Sequence, residues 1–463
     1  MLAAGLLLAA AGLARGAATN GPDALSLDGP WSLALDEGDV GLQAGFQHAA
    51  SFNESMVVPG SSIGAAGFGA ATDQKHHAYS GVAWFARNVT LPAGWAEDDG
   101  STLTFSCGGV KNSATVWLDG EWVGNHSGYM DGFELDLSPA LRAGPAALGQ
   151  QHRLTIRLDG SHCFAHNSSA ASCSCGSGCF SSLNSGDWAG IWGEVSLLRR
   201  GPLALTQVTA RTLSLGDLSG GDATLELTAT LGNGRVDHTE LLGGAELEVV
   251  LTEHAPPQRE VLRRRLPLQA AVLEGGPGPK HSQLRLELPI AAPKLWSPHS
   301  PSLYHAHLSI RGAGESTAHV RFGLRELKLD GPYFILNGKR HFMVGTGDDF
   351  GYPTEAPPQN KSVYLARLGA MKAYGFDFVR LHSHFESRMY FEAAEELGFF
   401  ISPALPGGIC HEIALRTWKW WINELRNTAS VIDIDMTNVR ISPLPLPLRI
   451  ATVQLTGGVV ARV

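Results

Sequence analysis

The stretch that decides the fold reads Ser113-Ala114-Thr115-Val116-Trp117-Leu118-Asp119-Gly120-Glu121-Trp122-Val123. Apolar and polar side chains alternate on both sides of Asp119-Gly120, a dipeptide typical of a two-residue β-hairpin turn. Similar short alternating runs, broken by turn residues, extend over residues 20–203 and indicate an antiparallel sandwich with one buried face. Residues 204–324 continue the pattern and predict a second, smaller sandwich.

The periodicity changes after residue 325, where segments of strand and helix character alternate. The predicted elements are a strand at 342–346, a helix at 362–374, a strand at 376–381, a helix at 386–397, a strand at 399–402, a helix at 415–425 and a strand at 431–436. This alternation predicts parallel βα units. A closed eight-stranded βα barrel typically needs about 250 residues, so the remaining chain predicts about half of one.

Composition places the chain among multidomain globular proteins. The 463 residues are 44% hydrophobic and 17% charged, which is neither disordered nor membrane-like. A formal net charge of −9 gives no basic surface for nucleic acid. We therefore expect no nucleic-acid partner. No continuous stretch of 18 apolar residues occurs either, so we expect no membrane partner.

The N-terminus indicates export. An apolar run over residues 1–14 is followed by Gly16-Ala17-Ala18, which predicts a signal peptide at 1–18, the alternative being a frayed apolar terminus. Five Asn-x-Ser/Thr sequons are candidate glycosylation sites: Asn53, Asn88, Asn125, Asn167 and Asn360. The sequence therefore predicts a glycoprotein that is secreted or held in an endomembrane or lysosome-like lumen.

Four of the six cysteines crowd into one Ser/Gly-rich segment: Cys163, Cys173, Cys175 and Cys179. In an oxidising compartment we expect two disulfides among them, with three possible pairings. A zinc site is the competing interpretation, but the Cys-x-Cys-x3-Cys spacing departs from ordinary structural zinc loops. Cys107 and Cys410 are far apart in the chain and are interpreted as buried thiols.

Local motifs occur in a fixed order along the chain. Those of the first sandwich are Tyr79-Ser80-Gly81-Val82-Ala83-Trp84-Phe85, Val116-Trp117-Leu118-Asp119-Gly120 and Gly190-Ile191-Trp192-Gly193-Glu194-Val195. Later ones are Leu295-Trp296-Ser297-Pro298, Pro301-Ser302-Leu303-Tyr304 and Phe334-Ile335-Leu336-Asn337-Gly338-Lys339. Over residues 26–438 this order resembles glycoside hydrolase family 2, the group of β-galactosidases, β-glucuronidases and β-mannosidases.

The resemblance implies a domain plan and a chemistry. It implies a jelly-roll sugar-binding domain at 19–203, an immunoglobulin-like sandwich at 204–324 and the N-terminal half of a (β/α)8 catalytic barrel at 325–439. The implied reaction is retaining hydrolysis of terminal β-linked sugars by two carboxylates about 5–5.5 Å apart. We expect a carbohydrate substrate, no cofactor and no metal site.

Candidate substrate-binding residues follow the predicted barrel strands, where several loops converge. They are Asp348 and Asp349 after the first strand, Arg380, His382 and His384 at the second, and Asn438 after the fourth. By resemblance, Asn438 matches the Asn of the family's Asn-Glu pair, and His382 and His384 compete for the family's histidine position. All six also admit the interpretation that they stabilise the end of the barrel.

The resemblance ends abruptly after Asn438. Val439 stands where the family's acid/base glutamate belongs, and the family's nucleophile lies further along the chain. Residues 440–463 contain no acidic residue and repeat Pro-Leu, so they are interpreted as a non-family tail rather than an ordinary terminal strand. We therefore expect this chain to be incomplete and inactive, through a gene-model or splicing error after Asn438.

Two alternatives stay open. The chain could instead be a secreted, non-catalytic glycan-binding protein that uses Trp117, Trp122 and Trp188 as stacking platforms, although each tryptophan singly is expected to fill the sandwich core. The basic run Arg263-Arg264-Arg265 is interpreted as a solvated strand face rather than a glycan-binding patch.

Overall fold

The computed structural model describes residues 23–66, 81–93, 95, 99–111, 113–128, 130–143, 151–160, 187–216, 221–273, 280–312, 314–349, 357–382, 384–405, 411–432, 434, 454–455 and 459–460. Within these residues the chain is mostly β and forms three regions, each with its own apolar core. The boundaries between neighbouring regions fall between the strands that end at Arg200 and begin at Leu205, and after the strand that ends at Phe322.

The first sandwich packs a six-stranded antiparallel sheet, in the order β3-β2-β5-β11-β8-β9, against a four-stranded sheet, β1-β13-β6-β10, with a small sheet β4-β12-β7 beside them. Its core contains Trp31, Phe85 and Ile156 from the first sheet and Phe105 and Leu197 from the second. The elements are β1 (Ala24–Ser26), β2 (Gly29–Asp36), β3 (Glu54–Val58), β4 (Gly60–Ala66), β5 (Val82–Thr90), β6 (Thr102–Cys107), β7 (Val110–Lys111), β8 (Ser113–Leu118), β9 (Glu121–Ser127), β10 (Phe133–Asp136), α1 (Ser138–Ala143), β11 (Gln151–Asp159), β12 (Asp187–Ile191) and β13 (Val195–Arg200).

The hairpin predicted at Asp119-Gly120 is confirmed. Strands β8 and β9 pair antiparallel around it, and Asp119 and Gly120 both have positive φ, 53° and 88°, as a tight turn of this type needs. Trp117 is buried against Trp84 with ring centroids 5.3 Å apart, but this pair belongs to a separate apolar cluster on the outer face of the sheet, not to the core between the two sheets. Trp122, the cross-strand partner of Trp117, lies on the edge strand β9 and is 63% exposed, so the expectation that it fills the core is wrong. The side chain of Trp188 lies outside the described residues.

The second sandwich packs a three-stranded sheet, β14-β15-β18, against a four-stranded sheet, β17-β16-β21-β22. Alternate leucines such as Leu225, Leu247 and Leu288 fill the space between the sheets. The strands are β14 (Leu205–Leu215), β15 (Ala223–Leu231), β16 (Ala245–Glu253), β17 (Glu260–Pro267), β18 (Ser282–Ile290), β19 (Trp296–Ser297), β20 (Ser300–Pro301), β21 (Tyr304–Gly312) and β22 (Ser316–Phe322). Arg263 and Arg265 point to solvent and pair with Glu248, so the interpretation of this basic run as a solvated strand face is confirmed.

The third region, which we call the βα region (residues 325–434), opens with an antiparallel meander and continues as parallel βα units. Its elements are β23 (Leu327–Asp330), β24 (Tyr333–Leu336), β25 (Lys339–His341), β26 (Gly345–Asp348), α2 (Lys361–Ala373), β27 (Phe378–Leu381), α3 (Arg388–Leu397), β28 (Phe400–Ser402) and α4 (His411–Leu425). A two-stranded hairpin of β29 (Gln454–Leu455) and β30 (Val459–Val460) lies further along the chain.

Two predicted strands of the βα region need correction. The strand expected at 342–346 begins at Gly345, because pairing starts where Gly345 faces Phe378, and this leaves Phe342 outside the sheet and 86% exposed. The strand expected at 431–436 is reduced, among the described residues, to one parallel bridge between Ile401 and Val431. Of the three predicted helices, those at 362–374 and 386–397 are confirmed within a residue or two, and the one at 415–425 begins four residues earlier, at His411.

Side chains from the βα region tie it to both sandwiches. The Trp296 indole donates to the Glu395 carbonyl at 3.0 Å, and the Asn427 side-chain oxygen accepts from the Ala210 amide of the second sandwich at 2.7 Å. Helix α4 reaches the first sandwich, where Arg416 donates to the Asp131 carboxylate at 2.7 Å. These contacts set the orientation of the sheet that carries the candidate site.

Several features bearing on export are only partly described. The side chains of Asn53, Asn88, Asn125 and Asn360 are exposed, as glycosylation requires, while Asn167 lies outside the described residues. The cluster Cys163, Cys173, Cys175 and Cys179 also lies outside them, as does Cys410. Cys107 is a buried free thiol whose pKa is raised to about 12 by burial, as expected. Among the described helices, none has the length and apolarity needed to cross a membrane.

Candidate functional site

The candidate site lies at the carboxyl edge of the parallel sheet β26-β27-β28. Gly347 pairs with Arg380, Asp348 pairs with Leu381, and Arg380 pairs with Ser402, so the three strands end together. In βα folds this edge is where ligand-binding side chains converge. The structure therefore brings Asp348, Asp349, Arg380, His382 and His384 to one edge, as predicted; Asn438 and Val439 lie outside the described residues.

The inner part of the site is a buried charge network around Asp348. The Asp348 carboxylate has no solvent exposure and accepts a hydrogen bond from the Arg367 guanidinium of helix α2 at 2.5 Å. The Tyr390 hydroxyl of helix α3 lies 3.4 Å from the other carboxylate oxygen. Burial, reinforced by the Asp348 charge, raises the pKa of Tyr390 well above its ordinary value, so this hydroxyl stays protonated.

His384 and Glu386 extend the inner network. The His384 Nδ1 lies 3.0 Å from the carbonyl of His382, so it carries the proton and donates. The Nε2 lies 3.4 Å from the Glu386 carboxylate, and both side chains are about 1% exposed or less. Burial by itself lowers the pKa of His384, but the Glu386 hydrogen bond and charge outweigh it, and the net effect is a raised pKa.

The outer part of the site faces solvent. His382 Nδ1 lies 2.9 Å from the Asp349 carboxylate, and the two side chains are 51% and 70% exposed. Arg380 is half-buried. Of the two histidines that compete for the family's histidine position, His382 is thus the one accessible from solvent, and His384 lies beneath it.

Three of the buried groups have the donor types and spacing of a cation site. One ligand atom each from Asp348, His384 and Glu386 lies within 4.8 Å of the others. The sequence predicts no metal site, and this grouping of side chains forms only in the folded chain. Arg367 already supplies a positive charge at 2.5 Å from Asp348, so a cation here would share that carboxylate with a guanidinium. The arrangement therefore fits an internally compensated charge network better than a metal centre.

Sequence reasoning missed Arg367, Glu386 and Tyr390. Glu386 carried a usable signal, because it stands two residues beyond His384 in the same strand-to-helix loop. Arg367 and Tyr390 lie in helices whose patterns predict only amphipathic packing, and their proximity to Asp348 arises from the tertiary fold.

A separate cleft of about 630 Å³ lies where the three regions meet. None of the predicted site residues that the structure describes lines it. Its walls combine tryptophans, carboxylates and histidines, including Trp192, Glu194, His305, His319, Glu392 and Trp420.

Two antiparallel sandwiches followed by parallel βα units with a polar carboxyl edge define a multidomain, mostly β class of scaffold. The model of the glycosyl hydrolases family 2 sugar binding domain matches residues 25–200, and that of glycosyl hydrolases family 2 matches residues 215–325. The two matches together span more than half of the chain. The chain therefore belongs to glycosyl hydrolase family 2, as the sequence motifs predict.

Curated relatives are similar over parts of the chain. The β-glucuronidase of Canis lupus familiaris is 32% identical over 141 residues, which is 29% of this chain and 20% of that protein. A β-galactosidase of Leuconostoc mesenteroides is 23% identical over 330 residues, covering 69% of this chain and 28% of that protein. The matched part thus spans less than a third of the length of either relative.

Solved structures share the fold. A Ruminococcus gnavus β-glucuronidase in complex with D-glucuronic acid superimposes with a TM-score of 0.67 at 18% identity, over 90% of this chain and 67% of that one. A Bacteroides uniformis β-glucuronidase gives a TM-score of 0.64 at 18% identity, over 89% and 46%. At this identity the likeness shows the fold alone.

Proposed function

We propose that this protein is a family 2 glycoside hydrolase by descent, built for retaining hydrolysis of terminal β-linked sugars, with the βα region as the first half of a (β/α)8 barrel. The observation that supports the proposal is the polar carboxyl edge of β26-β27-β28, in a chain whose preceding domains match the family 2 models. Arg380, His382 and Asp349 are its solvent-facing groups, which suits contact with sugar hydroxyls. Asn438 completes the set by resemblance.

We further propose that the 463-residue chain itself has little or no turnover. By resemblance Val439 occupies the acid/base position, and a valine cannot transfer a proton to the leaving oxygen. Loss of general acid catalysis typically costs about 10²- to 10⁴-fold in rate. The two buried carboxylates of the described edge do not replace it, because Asp348 is held by Arg367 and Glu386 is buried beside His384.

The decisive experiment compares two proteins on one panel of aryl β-glucuronides, β-galactosides and β-mannosides. The first is the 463-residue chain, and the second is the product of any transcript in which a glutamate codon follows that of Asn438. We expect hydrolysis from the second only, and loss of that hydrolysis in its Arg380→Ala variant. Turnover by the 463-residue chain well above the buffer rate would contradict the proposed inactivity, and an active Arg380→Ala variant would contradict the proposed site.

Export remains part of the proposal. The apolar run at 1–14 and the exposed sequon asparagines support passage through an oxidising, glycosylating compartment. When the chain is expressed with its native N-terminus in a eukaryotic secretory host, the protein recovered from the culture medium should start near residue 19. Peptide mapping without reduction should find glycans on Asn53, Asn88 or Asn125 and two disulfides among Cys163, Cys173, Cys175 and Cys179. Four free thiols with bound zinc would replace the disulfide interpretation.

The alternative of non-catalytic glycan binding has one supporting observation, the 63% exposure of Trp122 on β9. Exposed aromatic rings can stack on sugar faces. On a glycan array, Trp122→Ala should abolish binding if this surface serves that role. A chain that binds no glycan on the array excludes it.

A further inference from the structure

Four histidines crowd together on the outer face of the second sandwich. His305 and His307 alternate with the buried Tyr304, Ala306 and Leu308 along β21, so both imidazoles stand on the face opposite the core. His319 of β22 is the direct cross-strand partner of His307. His254 follows the end of β16, which pairs with the start of β21.

The rings of His305, His307 and His319 form a compact triangle. Ring centroids are 4.7 Å apart for His305 and His319, 4.6 Å for His307 and His319, and 6.1 Å for His305 and His307. Three imidazoles bound to one tetrahedral zinc at the usual Zn–N length have centroids about 5 Å apart. The ring spacing is thus close to that of a bound set. Among the described residues only Asp348, His384 and Glu386 have ligand atoms that already converge within 4.8 Å, so metal binding here requires the three rings to rotate about their side-chain bonds.

The geometry points to a divalent transition-metal site formed by His305, His307 and His319, with Zn²⁺ as the best-matched ion. Three imidazole nitrogens without a carboxylate favour Zn²⁺, Cu²⁺ or Ni²⁺ over Mg²⁺ and Ca²⁺, which prefer oxygen. A three-histidine set leaves one coordination position for water or an exogenous ligand. His305 and His319 line the cleft of about 630 Å³, so an ion and a small ligand can reach them from solvent.

His254 supplies the support that a metal-binding imidazole usually has. Its Nδ1 lies 2.8 Å from His305 Nε2, while His305 Nδ1 lies 2.7 Å from His319 Nε2. If His305 binds the ion through Nδ1, its Nε2–H donates to His254, and this second hydrogen bond fixes the tautomer and the ring orientation. The far nitrogen of His254 faces the Glu396 carboxylate at 3.9 Å, which favours the same proton arrangement.

Two arginines lie near the imidazoles, and each is paired with carboxylates. Arg321 lies across from His305 on β22, but its guanidinium is paired with Glu395 and Glu396 at 2.6 and 2.8 Å. Arg388 of α3 likewise has Glu392 and Glu424 within 3.8 Å. The carboxylates of α3 and α4 therefore offset part of the positive charge that the two arginines bring to the imidazoles.

The test is metal binding by the tag-free 463-residue chain, measured by calorimetry with Zn²⁺ and by visible absorption with Co²⁺. We expect one equivalent bound and a cobalt spectrum of nitrogen and oxygen ligation. His307→Ala and His319→Ala should abolish this equivalent. His254→Ala should weaken it by about 10- to 100-fold. His299→Ala, an exposed histidine in the turn between β19 and β20, is the matched control and should change nothing.

Each other result overturns the proposal. A bound equivalent that survives His307→Ala places the ion elsewhere, for example at Asp348, His384 and Glu386. A thiolate-to-cobalt charge-transfer band in the near ultraviolet places it at the cysteines. No binding at 100-fold excess Zn²⁺ excludes the site outright, provided the far-ultraviolet circular dichroism shows a folded chain. Because the three rings are partly exposed, the alanine variants should fold, and His307→Gln gives a second variant of similar size.

Discussion

The buried ion pair between Arg321 and Glu395 joins the second sandwich to the βα region, and its removal should be strongly destabilising. Arg321 of β22 is 14% exposed and Glu395 of α3 is 4% exposed, with 2.6 Å between Nη2 and Oε2. The other oxygen of Glu395 accepts from the Ala429 amide at 2.6 Å. Burial raises the pKa of the Glu395 carboxyl, although Arg321 opposes this shift.

The Arg321→Met variant leaves that carboxylate buried beside an apolar chain. Breaking a buried pair from one side typically costs about 3–5 kcal/mol. For a folding unit of 150–250 residues this corresponds to a melting temperature lower by roughly 6–20 °C. Protonation of Glu395 relieves the penalty, so the difference from the wild type should shrink as the pH falls from 8 to 5.

Thermal unfolding followed by circular dichroism at several pH values measures the effect. The double variant Arg321→Met/Glu395→Gln should recover most of the loss, because the amide still accepts from Ala429 and no charge is buried. Arg263→Met is the matched control: Arg263 is 46% exposed, and its partner Glu248 keeps a second arginine, Arg265, at 2.8 Å, so the midpoint should barely move. A single variant within 2 °C of wild type, or a double variant as unstable as the single, would refute the reasoning.

Two further predictions concern titration and backbone shape. Burial, with help from the Arg416 charge, lowers the pKa of His126 to about 3 in the folded chain, so on acidification His126 is protonated in the unfolded chain before the folded one. The free energy of unfolding should therefore fall by about 2 kcal/mol from pH 6.5 to 4.5, and His126→Gln should remove that part of the pH dependence. Gly398→Ala should lower the free energy of unfolding in urea clearly more than Gly375→Ala. Both glycines have positive φ, but only at position 398 would the added methyl group collide with a backbone oxygen, that of Pro298. Equal losses would contradict this.

Much of the fold follows from local signals. The Asp119-Gly120 turn, the alternation in β21 and the glycine that ends helix α3 at Gly398 each act within a few residues, and each was predictable. The start of β26 was not, because it depends on which residue faces Phe378 in the neighbouring strand. Apolar residues next to a strand, such as Phe342, have the same local pattern as residues inside it.

For the candidate site, the sequence predicted which residues lie at the strand ends but not their burial or their contacts with the helices. Strand ends located Asp348, Arg380 and His384, since a parallel sheet brings its carboxyl ends to one edge. Spacing did not show that His384 is buried and His382 exposed, because that depends on helix α3 packing over the loop. Arg367 reaches Asp348, at the end of strand β26, from helix α2, and no local sequence pattern predicts such a contact.

Burial separates the site into two kinds of residue. Asp348 and Glu386 have no exposed side-chain surface, and each has a partner within the network, Arg367 or His384. A sugar could reach them only by displacing those partners, which would leave buried charges uncompensated at a cost of several kcal/mol. We therefore infer that the inner groups hold the strand ends in position, and that Arg380, His382 and Asp349 make the contacts with substrate. In a longer, active form of this protein, Glu386→Gln should then lower the melting temperature and leave KM nearly unchanged. His382→Ala should raise KM and leave the melting temperature unchanged. The reverse pattern would assign the two roles the other way round.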